Sequence, residues 1–198
     1  MSRHSGEARD RVPIPRRGPS RAGDRVERLN RPARPGHHGG MEPLRIVKGD
    51  ATAPQVEGNK LIAHVCNDLG GWGRGFVLAI SRRWPEPERA YRQWHRGRAA
   101  NDFALGAVQL VAVGSDLWVA NMVAQHGMRA ARSGPPIRYE AVEQCLQVVA
   151  GHAERLGASV HMPRIGCGLA GGRWELIEPI ITRTLCQRGI ATAVYDHD

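Results

Sequence analysis

Twice in this chain a short apolar run gives way to a glycine-rich loop and then to a helix-like segment. The first case is His64-Val-Cys-Asn-Asp-Leu-Gly-Gly-Trp-Gly-Arg-Gly-Phe76, which grows out of the nearly continuous apolar stretch Leu61–Cys66. The second is Pro163-Arg-Ile-Gly-Cys-Gly-Leu-Ala-Gly-Gly172, placed between Ser159–Met162 and a helical stretch from Trp174. A short apolar run bounded by glycine is expected of a central strand covered on both faces. Glycine lets the backbone approach a ligand closely and aim successive N–H groups into a concavity. The helix N-terminus that follows adds a field favourable to an anion. Two such loops at the carboxyl ends of strands describe a site for a diphosphate or similar group.

The rest of the chain after Met41 fits the same alternation. Leu44–Val47 reads as a strand, Phe76–Trp84 as a helix, and Pro85 and Pro87 break it and begin a second helix. Glu86 and Glu88 suit that helix's first turn. Ala107–Val113 and Leu117–Val123 are strands joined by the hairpin-like turn Gly114-Ser115-Asp116. Helical spacing runs over Ile137–Leu156 and closes at Gly157; Trp174–Arg188 closes at Gly189; Ala191–Tyr195 is a final strand. The pattern predicts an α/β fold, three layers with a central mixed β-sheet flanked by helices.

Several function classes are set aside by the same residues. Gly166, Gly168 and Gly171 match Gly-x-Gly-x-x-Gly, yet only one helix and one strand follow, too little for a Rossmann βαβαβ unit. No phosphate-binding Gly-x-x-x-x-Gly-Lys-Ser/Thr occurs. Cys66, Cys145, Cys167 and Cys186 lie far apart, without metal-ligand spacing, and read as reduced; no metal or cofactor is expected. No apolar run approaches the ~18 residues of a membrane span, and no secretory h-region opens the chain, so a cytoplasmic location is expected. Ten arginines against four acids give residues 1–40 a net +6 of the chain's +9. That segment, rich in Arg, Pro, Gly and Ser without period, is expected to be a disordered tail, and Met41 is an alternative start. The basic character therefore says little about the folded part, residues 41–198, and a nucleic-acid partner is not expected of it.

These motifs resemble the macrodomain family over roughly residues 44–196. Val47-Lys-Gly-Asp50 looks like the family's opening strand, whose acid receives the adenine amino group, with Ala51 beside it. The first glycine loop resembles the family's distal-ribose loop, and Ile165-Gly-Cys-Gly-Leu-Ala-Gly171 its diphosphate loop. Val194-Tyr195-Asp196 places an aromatic where members set one beside adenine. The resemblance implies binding of ADP-ribose or an ADP-ribosylated protein by a monomer. His-x-Cys-Asn followed by Gly-x-Trp-Gly-x-Gly is similar to the ADP-ribose 1″-phosphate phosphatase branch. Pro-Arg-Ile-Gly-Cys-Gly-Leu is similar to the terminal ADP-ribose protein glycohydrolase. That glycohydrolase's lysine and aspartate are absent, since Asn121-Met122-Val123 and Ala170 stand there, so a covalent lysyl route is not implied.

The resemblance makes Gly73, Arg74, Gly75, Phe76, Ile165, Gly166, Cys167, Gly168, Leu169 and Ala170 ligand-binding candidates, with Asp50, Ala51, Asn67 and Tyr195. Hydrolysis at the distal ribose requires an oriented water and stabilised charge. Asp68 suits a general base or a loop cap, Asn67 a ribose ligand or an Asx-turn, and Gln125 a water-positioning group across the cleft. His64, inside an apolar strand, is read first as a satisfied core histidine. Cys167 is expected to offer its backbone N–H, not a nucleophilic thiol. Two functions stand side by side, a hydrolase of an ADP-ribose derivative and a non-catalytic ADP-ribose reader.

Overall fold

The computed structural model describes residues 40–130 and 134–196; the expected tail lies outside the described residues, as does part of the loop after Met128. Six strands form one sheet in the order β1-β6-β5-β2-β4-β3. They are β1 Arg45–Lys48, β2 Lys60–Asn67, β3 Val108–Ala112, β4 Leu117–Gln125, β5 Ser159–Pro163 and β6 Thr192–Asp196. All neighbours are parallel except the β3–β4 hairpin, so the sheet is mixed, as the turn at Gly114–Asp116 implies.

Helices α1 Phe76–Arg83 and α2 Glu86–Arg96 cover one face, and α3 Tyr139–Leu156 and α4 Trp174–Thr184 the other. Period-two alternation along β2 explains both layers. Ile62 and Cys66 pack with Ile80, Tyr91 and Trp94 beneath α1 and α2. Leu61 and Ala63 pack with Val142, Val149 and Ile177 beneath α3 and α4. Strands buried on both sides read as unbroken apolar runs, which is what β2 and β4 show.

Two helix ends differ from the periodic reading. Ile137 stays outside α3 because residues 136–138 run antiparallel along the end of β4, with Arg138 N–H on Ala124 O at 2.9 Å and Ile137 bridged to Gln125. The last helix stops at Thr184 and tightens into a 3₁₀ turn at Cys186–Arg188. Gly189, at φ 72°, ends it in the left-handed region that only glycine adopts at no steric cost. Among the described residues no helix is long and apolar enough to cross a membrane.

Candidate functional site

Both glycine loops leave the carboxyl edge of the sheet, from β2 and β5, which are direct neighbours. Their walls enclose a cleft with two chambers. The proximal one, about 280 Å³, lies against Phe76, Gln125, Ile165, Gly166, Gly168, Leu169 and Ala170, with Arg74, Gly75 and Arg164. The distal one, about 470 Å³, lies against Asn67, Gly71, Trp72, Gly73, Arg74, Gln125, Met128 and Arg129. Leu169 faces both chambers and is 65% exposed. It leans from the second loop toward the first, so that a Cβ on Gly75 would sit 3.5 Å from its Cδ1.

The cleft is built to receive negative charge. Helix α1 starts at Gly75 with no side-chain cap, and its first turn points into the proximal chamber. Among the described residues the N–H groups of Gly75, Phe76 and Val77 have no protein acceptor. In the second loop Cys167 N–H closes on Arg164 O at 3.2 Å and Gly171 N–H on Gly168 O at 3.0 Å. Those bonds leave the N–H groups of Gly168, Leu169 and Ala170 open. Arg74, Arg129 and Arg164 add three guanidinium groups, and among the described residues no Asp or Glu lines either chamber. Uncapped helix starts and such nests of N–H groups bind anions. Arg164 is itself held by both oxygens of Asp196 and lies 4.5 Å above the Trp174 ring.

Cys167 does not line the cleft, and its backbone N–H is engaged within the loop. Burial raises its thiol above the ordinary range against the opposing pull of Arg164. The loop therefore uses the residue for its turn and not for nucleophilic chemistry.

Asn67 is bound into its own loop. Its Oδ1 accepts the N–H groups of Leu69 at 2.9 Å and Gly71 at 3.0 Å, and its Nδ2 donates to Gly71 O at 2.8 Å. Tyr91 OH donates to Asn67 O at 2.6 Å. This is the Asx-turn arrangement, and it shapes the rim of the distal chamber. Asp68 does not line the cleft; its carboxylate faces His126 and Gly127. Gln125 lines both chambers, its Nε2 donating to Gly127 O at 2.9 Å.

Asp50 and Tyr195 lie apart from the cleft, around a basin of about 460 Å³ on the half of the sheet formed by β1, β6 and β5. The two spaces adjoin, because Tyr195 pairs in register with Pro163, a cleft residue. Asp50 accepts Thr52 N–H at 2.8 Å and Thr52 Oγ1–H at 2.7 Å, and its second oxygen meets Arg83 at 3.1 Å. Burial opposes its ionisation, but those hydrogen bonds and the Arg83 charge outweigh it and hold the carboxyl below the usual range. Ala51 is buried beside it. Tyr195 OH lies 3.0 Å from Nδ1 of the buried His161. Burial raises the phenol and, at His161, lowers the imidazole to about 4.

Sequence reasoning had no role for Arg129, Met128, Arg164 or His126. Their signal was position alone, in the segments that follow β4 and β5.

No family model matches the chain. Its likeness to individual proteins decides the question: it is 62% identical to a macrodomain protein from Streptomyces coelicolor, with a TM-score of 0.72, covering 79% of this chain and 100% of that one. The chain belongs to the macrodomain family. This macrodomain is also 36% identical over 163 residues to chromodomain-helicase-DNA-binding protein 1-like from Mus musculus, across 77% of this chain. It spans only 17% of the length of that relative. Over 154 residues it is 30% identical to the ADP-ribose 1″-phosphate phosphatase of Chaetomium globosum, covering 68% of this chain and 82% of that protein.

Proposed function

We propose that this macrodomain binds ADP-ribose in the cleft between its two glycine loops and hydrolyses an ADP-ribose derivative there. The reaction removes ADP-ribose from a modified protein or phosphate from ADP-ribose 1″-phosphate. One observation carries the reading: open N–H groups from two loops and three arginines, one of them paired with Asp196, converge on a cleft whose lining, among the described residues, holds no carboxylate. That arrangement suits a diphosphate, whose oxygens accept from backbone donors and guanidinium groups. The named activity of the Chaetomium globosum relative supports the same ligand.

The diphosphate sits against Ile165–Ala170 and the start of α1, and the distal ribose occupies the chamber beside Gly73, Arg74 and the Asn67 rim. The adenosine end extends past Pro163 toward Asp50, Ala51 and Tyr195. With no carboxylate among the described residues that line the cleft, water is oriented by Gln125 and gives its proton to a phosphate oxygen of the substrate. The protein stabilises developing charge through Arg74 and Arg129. The domain, residues 41–198, acts as a monomer in the cytoplasm and needs no cofactor.

A second reading, a non-catalytic ADP-ribose reader, is favoured by that same lack of a carboxylate. Incubating the full chain with mono-ADP-ribosylated protein and with ADP-ribose 1″-phosphate separates the two. Release of ADP-ribose from either supports the hydrolase. Calorimetric binding of ADP-ribose without release supports the reader, and no binding at all sinks both.

A further inference from the structure

Asp68 reaches three consecutive residues at the end of β4 and just beyond it. Its Oδ2 lies 2.6 Å from Nδ1 of His126, its Oδ1 accepts Gly127 N–H at 2.8 Å, and its own N–H donates to Gln125 O at 2.9 Å. The Asp68 side chain is 18% exposed and that of His126 is 61% exposed. A slip in strand register makes this reach possible. Cys66 pairs with Val123 but Asn67 pairs with Gln125, so β4 carries one extra residue, Ala124, at the end of the ladder. Bulges of this kind redirect the residues that follow them, and here Asp68 comes to face the 125–127 turn.

That turn begins the far wall of the distal chamber, which continues through Met128, Arg129 and Ala130. Met128 in turn packs on the first loop, its Sδ 2.5 Å from where a Cβ on Gly71 would stand. The wall is therefore tied to the first loop at two points, the Asp68 carboxylate and the Met128 thioether.

We propose that Asp68 is a positioning residue, a clasp that holds residues 125–130 as the wall of the distal chamber, and not the base that activates water. The proposal rests on the cleft being the ADP-ribose site. A base needs an oxygen free to face water beside the substrate, whereas both oxygens of Asp68 are engaged outside the cleft lining. The two roles respond oppositely to amide substitution. In Asp68→Asn the side-chain oxygen still accepts from Gly127 and the new NH₂ donates to Nδ1 of His126, so the clasp survives; a carboxylate base does not.

The test compares full-length wild type, Asp68→Asn, Asp68→Ala and His126→Ala, with melting curves checking that each is folded. Three readouts apply: ADP-ribose affinity, release of ADP-ribose from both substrates, and amide hydrogen exchange at residue 126, whose N–H donates to Pro136 O at 2.8 Å within the clasped turn. The clasp predicts Asp68→Asn within about threefold of wild type on affinity and turnover. It predicts Asp68→Ala about tenfold weaker in KM and Kd, because both carboxylate bonds to the turn are lost and the wall is no longer held. Exchange at residue 126 accelerates in both alanine variants. A fall of more than about 100-fold in kcat for Asp68→Asn, with affinity kept, identifies a general base and overturns the proposal. Unchanged exchange in Asp68→Ala also overturns it. If wild type fails to bind ADP-ribose, the cleft reading falls while the exchange data still decide the clasp.

Discussion

His64 donates its Nε2 hydrogen to the side-chain oxygen of Asn121 at 2.7 Å, and the direction of that bond follows from a chain of obligations. The carbonyls of Ala90 and Pro87 can only accept. Gln109 Nε2 therefore donates to Ala90 O at 3.2 Å, and its Oε1 is left to accept from Asn121 Nδ2 at 3.1 Å. Asn121 Nδ2 also donates to Pro87 O at 3.1 Å. Its Oδ1 must then accept, and His64 is held as the neutral Nε2–H tautomer. Burial depresses its pKa to about 4 against the pull of that hydrogen bond.

Stability is expected to fall on mild acidification. The folded state keeps His64 neutral down to about pH 4, while the unfolded chain takes up the proton near its ordinary 6.5. Stability from His64 is thus fully present above pH 6.5 and is lost as pH drops from 6.5 toward 4, by up to roughly 3 kcal/mol. Urea unfolding at pH 7, 5.5 and 4.5 measures the slope. His64→Gln should roughly halve it over that window, because the buried His161, also lowered to about 4, contributes the remainder; an unchanged slope would mean His64 is not a source.

Asn121→Ala removes the centre of the network and strands the His64 N–H and the Gln109 oxygen in the core. Each orphaned group costs on the order of 1–3 kcal/mol. A loss of about 3 kcal/mol, read as a drop of roughly 10 °C in Tm, is expected. A melting temperature within two or three degrees of wild type would mean that the network relaxes around the gap.

Gly172 and Gly168 should behave differently although both lie in the second loop. A Cβ on Gly172 would stand 2.6 Å from Gly166 O, so Gly172→Ala must open the loop, at about 1–3 kcal/mol in stability. Gly168 has open space and no left-handed backbone, so Gly168→Ala should melt like wild type. Any loss of ADP-ribose affinity in Gly168→Ala therefore reports a ligand that approaches the loop closely. Calorimetry and melting curves on both variants check this.

Arg74 has no acidic partner among the described residues and faces both chambers. Arg74→Ala is expected to weaken ADP-ribose binding about five- to tenfold at low salt, with the gap narrowing by 0.5 M as exposed charges are screened. Equal affinity of variant and wild type at low salt would remove Arg74 from the ligand's path.

Much of the scaffold was legible because its signals are local. Apolar runs marked β2 and β5, glycines marked the loops after them, and helical spacing marked α3. Relations set by register were hidden. Tyr195 and Asp50 were read with the cleft residues, but β6 and β1 lie beyond β5, so their side chains border an adjoining basin. Asp68 stayed open between a general base and a loop cap, because the unpaired residue in β4 that turns it toward His126 leaves no mark in composition. The last helix was read as Trp174–Arg188, four residues too far, because its apolar spacing continues past Thr184 into the 3₁₀ turn.

The polarity of β6 bears on how such a protein is handled. It runs parallel to β1 and β5 and finishes at Asp196, on the edge from which both glycine loops depart. The Asp196 carboxylate grips Arg164 there, in the wall of the cleft. A reporter dye placed at position 196 would stand at the mouth and cost Arg164 its carboxylate partner. One placed at Arg45 would stand at the opposite edge, the length of a four-residue strand away, on the order of 13 Å. Assays of this macrodomain should carry their attachments on the Arg45 side.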